Sequence, residues 1–411
     1  MTPVDPLAEV VREEWGRLAA LLLARFRRLD LVEDALGDAV EAAARAWPDD
    51  GVPDRPAAWL HTTASRRILD RLRTEAVAQR VQPLLVVEAA RAEAGRAMAD
   101  PGALVEDDLL RLVLMCSHPA LAPEAASALS LRLVLGVSTP DIARLFLVPE
   151  TTMAARLTRA KKRIVGAGIP FGVPDSSVLP GRIDTVAQTA YLAFTAGYSP
   201  GTGTDLLRPS LSGEAIRLVR SVLALRPGEA VLVALLALML FQHSRRDARV
   251  RDGRLVLLPD QDRELWHRDE VEEARALLDA PALRGPVTRQ AAAYTLQARI
   301  AAEHALAPSA AETRWEHVVG LHDLLLGLAP TPSGRLARAV AVAEARGPAA
   351  GLAALEGVDI PTTHRLAAVR AELLARSGQH DAARAAYDQA LAACRNDVES
   401  AHLRERRQSL G

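Results

Sequence analysis

Apolar residues recur at intervals of three and four along almost the whole chain of 411 residues, and convincing strand alternation is absent. The pattern predicts helices near residues 6–28 and 31–47, the second closed by Pro48-Asp49-Asp50-Gly51. A loop, Val52-Pro53-Asp54-Arg55-Pro56, leads into a third helix from Ala57 to about Glu75. Residues 81–105 read as a linker with a marginal helix, broken at Asp100-Pro101-Gly102. Helical spacing resumes over 106–168, and glycine and proline then punctuate 166–180. From 183 to 411 the chain is helical again, apart from Leu255-Val256-Leu257-Leu258, which has extended character. The longest apolar run, Ala230 to Phe241, is too short to span a bilayer and reads as a buried helix. Helix 364–376, Gly378 and helix 381–394 form a pair of roughly tetratricopeptide length, with Ala383, Tyr387 and Ala390 at packing positions. Residues 333–355, broken at Gly347-Pro348, look like a degenerate neighbour, and a plain helical hairpin is the alternative. The fold class expected is all-α.

Residues 137–164 carry the pattern closest to a function. Thr139 suits an N-cap and Pro140 the first helical position. Ile142, Leu145 and Phe146 fall on the inward side. Pro149 cannot continue that helix but can open another. In the second helix Met153, Leu157, Ala160 and Ile164 make one apolar stripe, while Arg156, Arg159 and Arg163 recur on a different face. Lys161 and Lys162, the only lysines in the chain, sit beside them. Six basic groups here oppose Asp141 and Glu150. A helix-turn-helix with a basic outer face is what a major-groove reader needs: arginine bonds guanine edges, while lysine and hydroxyl groups hold phosphates. Thr151, Thr152 and Arg156 lie toward the end that enters the groove. A solvated basic helix on an ordinary helical domain is the plain alternative.

The net charge of −1 argues against a protein that coats nucleic acid along its whole surface, so any DNA contact is local. Cys116 and Cys394 are too few for a disulfide framework, and no signal peptide is visible, so a cytoplasmic location is expected, with no membrane partner. Cys116 and His118 have no second ligand pair at zinc spacing and read as structural. No metalloprotease helix, phosphate loop, nucleotide fingerprint or nucleophile elbow is present. No catalytic residue, metal or cofactor is expected.

Two blocks together resemble an extracytoplasmic-function sigma factor, the minimal two-domain form of the bacterial sigma-70 family. Val32-Glu33-Asp34-Ala35, Ala46-Trp47, Trp59-Leu60 and the run Arg66 to Arg73 follow the order of conserved region 2. Leu129 to Gly136, Asp141-Ile142-Ala143, Val148 to Thr152 and Arg156 to Arg163 follow region 4. The remainder is similar to the subgroup with a long C-terminal helical extension, through Cys116 to Leu121, Tyr191 to Ser199, Leu207-Arg208-Pro209, Asp260 to Arg263 with Trp266, and Arg338 to Ala343. The domains implied are region 2 over 1–80, a linker over 81–105, region 4 over 106–170, a linker over 171–182 and a tetratricopeptide-like regulatory extension over 183–411.

The resemblance implies a subunit that docks on core RNA polymerase and directs promoter-specific initiation, the polymerase supplying the chemistry. Thr151, Thr152, Arg156, Arg159, Lys161, Lys162 and Arg163 would read the −35 element. Arg55, Trp59, Arg66, Arg67, Arg71 and Arg73 would hold the −10 strand, Trp59 offering a stacking face unless it is core. Asp34, Asp38 and Glu41 share one helix face and, with Trp47, would meet the polymerase. The extension would regulate through a protein partner or an intramolecular contact. Gly37-Asp38 stand in place of the usual Gln-Glu, Val40 in place of an aromatic, and Thr195-Ala196 and Ser333-Gly334 in place of Asn-Glu and Leu-Asn. A one-component helix-turn-helix regulator and a degenerate sigma-like antagonist are the other non-enzymatic readings.

Overall fold

The computed structural model describes residues 6–79, 101–146, 148–198, 209–251, 254–360 and 364–410, and among them the fold is all-α apart from one short hairpin. Two compact units partition the chain: Met1–Ala193 with Ala224–Pro227, and Phe194–Leu223 with Gly228–Gly411.

In the first unit α1 (Pro6–Phe26), α2 (Leu29–Asp50) and α3 (Pro56–Gln79) pack on one another. Burial of Trp15, Leu18, Leu22, Val32, Leu36, Leu60 and Ile68 drives this. Arg28, at the start of α2, bonds Asp30 and Glu75, tying that end of α2 to the last turns of α3. Helix α2 continues through Pro48 and stops at Gly51, whose φ of 82° breaks the turn while its N–H still reaches Trp47 O. The expected linker over 81–105 falls mostly on residues 81–100, outside the described residues.

The next helices are α4 (Pro101–Cys116), α5 (Pro123–Leu133), α6 (Thr139–Phe146) and α7 (Glu150–Gly166). Ser138, not Thr139, caps α6: its Oγ accepts from the Asp141 N–H and donates to the Asp141 carboxylate. Thr139 is already helical, which moves the cap one position back. Helix α8 (Leu179–Tyr198) buries Ile183, Val186, Ala187 and Ala190, and Ser127 Oγ in α5 donates to its Thr189 O at 2.9 Å. Its Arg182 donates to Leu114 O in α4.

The second unit is built on α9 (Pro209–Leu225) and α10 (Ala230–His243), whose near-total burial matches its unbroken apolar run. Strands β1 (Val250–Arg251) and β2 (Arg254–Leu255) form the hairpin. The extended stretch expected at 255–258 ends at Leu255, because Pro259 already shapes a 3-10 turn from Leu258. Helices α11 (Arg268–Leu278), α12 (Arg289–Leu306), α13 (Trp315–Leu328), α14 (Pro332–Arg346), α15 (Pro348–Ala354), α16 (Arg365–Arg376), α17 (His380–Ala393) and α18 (Asp397–Gln408) follow. From α13 onward each packs chiefly on a neighbour in sequence, the habit of a solenoid, whereas α12 packs chiefly on α10. Gly347 and Gly378, at φ 94° and 75°, make the turns before α15 and after α16, and Ala383, Tyr387 and Ala390 are buried between helices. No described helix is long and apolar enough to cross a membrane.

Candidate nucleic-acid interface

Helix α7 sorts its side chains by face. Met153, Leu157, Ala160 and Ile164 are its buried residues, and they are the stripe the sequence spacing picks out. Ile142 of α6 is buried and Phe146 half-buried; Leu145 is outside the described side chains. Pro149 stands at the N-cap, and its carbonyl accepts from Met153 N at 3.1 Å, so the turn passes straight into α7. Thr151 and Thr152 are exposed in the first turn. Thr152, Arg156, Arg159 and Arg163 follow at spacings of four, three and four along one outer stripe, with Lys162 beside it. Arg159, Lys162 and Arg163 are exposed and Arg156 half-buried, and none of the four has an ion-pair partner among the described residues. Such a strip offers an open positive charge along a helix whose N-terminus is unobstructed by acidic partners other than Glu150.

Lys161 is placed differently. Its Nζ donates to Glu33 Oε2 at 2.7 Å, on the far side of α7 from the outer stripe. Glu33 belongs to α2, is buried, and also accepts from Arg132 Nε through Oε1 at 2.7 Å. Burial pushes the Glu33 carboxyl upward, but the Lys161 and Arg132 cations outweigh it and hold the group below its ordinary range.

The α2–α3 pair shows a second neutralisation. Arg71 Nη1 and Nη2 bond Asp34 and Asp38, each at 3.0 Å. One of the expected −10 cations therefore lies against two of the expected docking carboxylates. Arg73 pairs with Asp70 one turn back at 2.9 Å, and Glu41 with Arg45 at 3.2 Å. Arg55, Arg66 and Arg67 are exposed with no ion-pair partner among the described residues. Trp59 is half-buried, its ring meeting Trp47 edge-on at 5.8 Å. Trp47 is itself 6% exposed, so its part is to hold α2 on α3. Nothing crowds Gly37, so packing does not dictate a glycine there.

Comparison with known families matches this geometry to its parts. Residues 10–77 match sigma-70 region 2, residues 111–164 match sigma-70 region 4, and residues 182–282 match a family of unknown function (DUF6596). The chain belongs to the sigma-70 family. It is an extracytoplasmic-function-like sigma factor with a C-terminal extension, a DNA-binding protein of transcription initiation. An uncharacterized protein of Rhizobium meliloti (strain 1021) is 41% identical over 391 residues, covering 93% of this chain and 90% of that protein. No solved structure matches the chain at a significant level.

In this sigma factor regions 2 and 4 lie in one unit and touch closely. A Cβ on Gly16 of α1 would come within 2.3 Å of Val134 O, and one on Gly136 within 2.6 Å of the Trp15 ring. Arg132 lies over the same ring, 5.4 Å from its centroid, and donates to Val137 O at 3.1 Å. Glu33, Arg132, Trp15, Gly16 and Gly136 were not singled out by periodicity. Their partners lie about a hundred residues away, and the local signals were Glu33 inside the region 2 motif and Arg132 and Gly136 inside the region 4 stretch Leu129 to Gly136.

Other chemistry is sparse among the described residues. Cys116 is fully buried and its thiol is pushed well above the ordinary range by burial. His118 Nδ1 accepts from Ala120 N at 3.1 Å and so serves the turn before α5. His364, Cys394 and Glu399 bring ligand-type atoms within 4.8 Å of one another. His364 Nε2 already lies 3.2 Å from Glu399 Oε2, and Cys394 Sγ is directed at Asn396 O.

Proposed function

We propose that the chain binds core RNA polymerase through the acidic outer face of α2, with Asp34, Asp38 and Glu41, and directs initiation at promoters it reads with α3 and α7. The −35 element is read by Thr151, Thr152, Arg156, Arg159, Lys162 and Arg163, and the −10 strand is held by Arg55, Arg66, Arg67 and Arg73, with Trp59 as a stacking face. Lys161 and Arg71 join once their carboxylate partners are exchanged for phosphate. The chain contributes no catalytic group, and the second unit regulates how regions 2 and 4 are presented. The observation that carries this reading is the open cationic stripe on α7 above a fully buried apolar one, within a match to region 4 that follows a match to region 2.

The deciding experiment is multi-round transcription with purified core polymerase on the chain's own upstream DNA, comparing residues 1–411 with 1–200. The cut belongs after α8, because a cut at 180 would strip the Thr189 and Arg182 contacts from region 4. Transcripts from both forms are expected, with a ratio that departs from one and so measures the extension. Polymerase binding without any transcript would favour the antagonist reading, and equal activity of the two forms would remove the regulatory role.

Arg156→Ala tests direct readout. Its half-buried stem near the N-terminal end of α7 aims one guanidinium at base edges, so loss of discrimination at one or two −35 positions, about 1–3 kcal/mol each, is expected in competition binding. A uniform loss across sequences with a lower salt slope would make Arg156 a phosphate contact instead.

A further inference from the structure

The second unit encloses a cavity of about 420 Å³ between α12, α13, α14 and the turn at Leu258-Pro259. Its walls are mostly apolar, with Ile300, Trp315, Val318 and Val340 prominent. Three features of its lining bear on the ligand it suits. His322 is 8% exposed, and its Nδ1 is buried with no hydrogen-bond partner among the described residues. Arg263, on the cavity wall, uses Nη1 on the carbonyls of His304 and Ala307, at 2.8 and 2.9 Å, and stacks its guanidinium over Trp266. No carboxylate pairs with Arg263 among the described residues; Arg268 and Arg245 oppose its charge, and Glu312 favours it from a distance.

The third feature is a second desolvated imidazole. His304, on the same wall with its ring 5.2 Å from Trp315, is driven down to about 4 by burial and then by Arg245 and Arg263. Glu344 is the lining carboxylate, and it is taken by Arg376. A half-open, mostly apolar cavity with a guanidinium that no carboxylate pairs, an orphaned imidazole nitrogen and an aromatic wall suits one chemistry. An anionic head satisfies the guanidinium and the imidazole, and an apolar body covers the walls.

We infer that this cavity is a binding site for a small organic carboxylate with an aromatic or branched apolar body. Its carboxylate takes hydrogen bonds from the free nitrogens of Arg263 and, once the imidazole turns to bring its buried Nδ1 to the cavity, from His322, and its body lies against Trp315, Ile300 and Val340. The site stands on the cavity's chemistry alone; that occupancy controls the sigma factor rests on the regulatory role proposed above.

The test uses the full chain and a panel of benzoate, phenylacetate, indole-3-acetate and octanoate, each against its neutral amide, by titration calorimetry and thermal shift. At least one carboxylate is expected to bind one to one and raise the unfolding temperature, with its amide at least tenfold weaker. His322→Phe, which fills the cavity, and Ala337→Trp, which closes its wall from an exposed position, are each expected to weaken that carboxylate tenfold or more. Ala337→Trp keeps the test alive if His322→Phe fails to fold. Saturable binding by no member of the panel at millimolar concentration overturns the inference. Equal affinity for acid and amide overturns its anionic chemistry, and unchanged affinity in Ala337→Trp places the binding elsewhere. Transcription by the 1–411 form with and without the bound carboxylate then reads regulation separately from binding.

Discussion

Glu33→Ala is expected to cost the first unit about 3 kcal/mol, the low end of the range for removing one partner of a buried ion pair. The mutation leaves Arg132 and Lys161, whose side chains are 17% and 25% exposed, facing each other without the carboxylate that separates their charges. Partial solvation of both cations is what keeps the figure from the top of that range. In a unit of this size each kcal/mol moves the unfolding midpoint by about 2–4 °C, so a fall of about 6–12 °C is expected in calorimetry. Adding Lys161→Ala should recover part of the loss, with a coupling of about 0.5–3 kcal/mol in the double-mutant cycle.

The sign of the pH dependence follows from the same cluster. The folded-state pKa of Glu33 lies below its ordinary value of 4.5, so folding favours the ionised form. Its contribution is fully present above 4.5 and is lost as pH falls through the depressed folded value. The difference in stability between wild type and Glu33→Gln is therefore expected to be flat from neutrality to about pH 5 and to shrink below it. A difference that stays constant down to pH 3 would mean that Glu33 is not held as a carboxylate between the two cations. The variant also frees Lys161 for DNA, and one more phosphate contact steepens the salt dependence of promoter binding by about 0.9 in log–log slope.

Much of the fold was legible because helical spacing and turn residues are local signals. The stripe of Met153, Leu157, Ala160 and Ile164 is buried where its spacing puts it, and Gly347 and Gly378 adopt the left-handed turns expected of glycine between helices. The burial of Ala383, Tyr387 and Ala390 was readable for the same reason. Pairing across the chain was not. The acidic face of α2 and the basic face of α3 each looked like a free surface, yet Arg71 joins them through Asp34 and Asp38. Lys161 reads like Lys162 in sequence, and only the arrival of α2 on its side of α7 separates their roles. The cap on α6 was misplaced by one residue because Ser138 and Thr139 are chemically equivalent candidates, and backbone geometry chooses between them.

Gly136→Val should be the most damaging substitution in the first unit that touches no DNA-facing side chain. Gly136 sits at φ 71°, where a β-branched residue is strained by about 1–3 kcal/mol before any contact is counted. Its new Cβ would lie 2.6 Å from the Trp15 ring, and that ring has little room to retreat. It is 5% exposed in the core of α1, and Arg132 lies over it while holding Glu33. Moving Trp15 therefore disturbs the Glu33 cluster as well, so the strain and the lost packing add to about 3–5 kcal/mol. Gly37→Ala is the control: no atom lies within 4 Å of its added Cβ and its helix position favours alanine, so a gain of up to about 1 kcal/mol is expected in denaturant titration. If Gly136→Val unfolds at the wild-type midpoint, α1 does not rest on the α5–α6 turn in solution. If it unfolds early while the far-ultraviolet helical signal persists, the two sigma regions have parted without melting. That outcome would make the Trp15–Gly136 contact the hinge on which their presentation to promoter DNA depends.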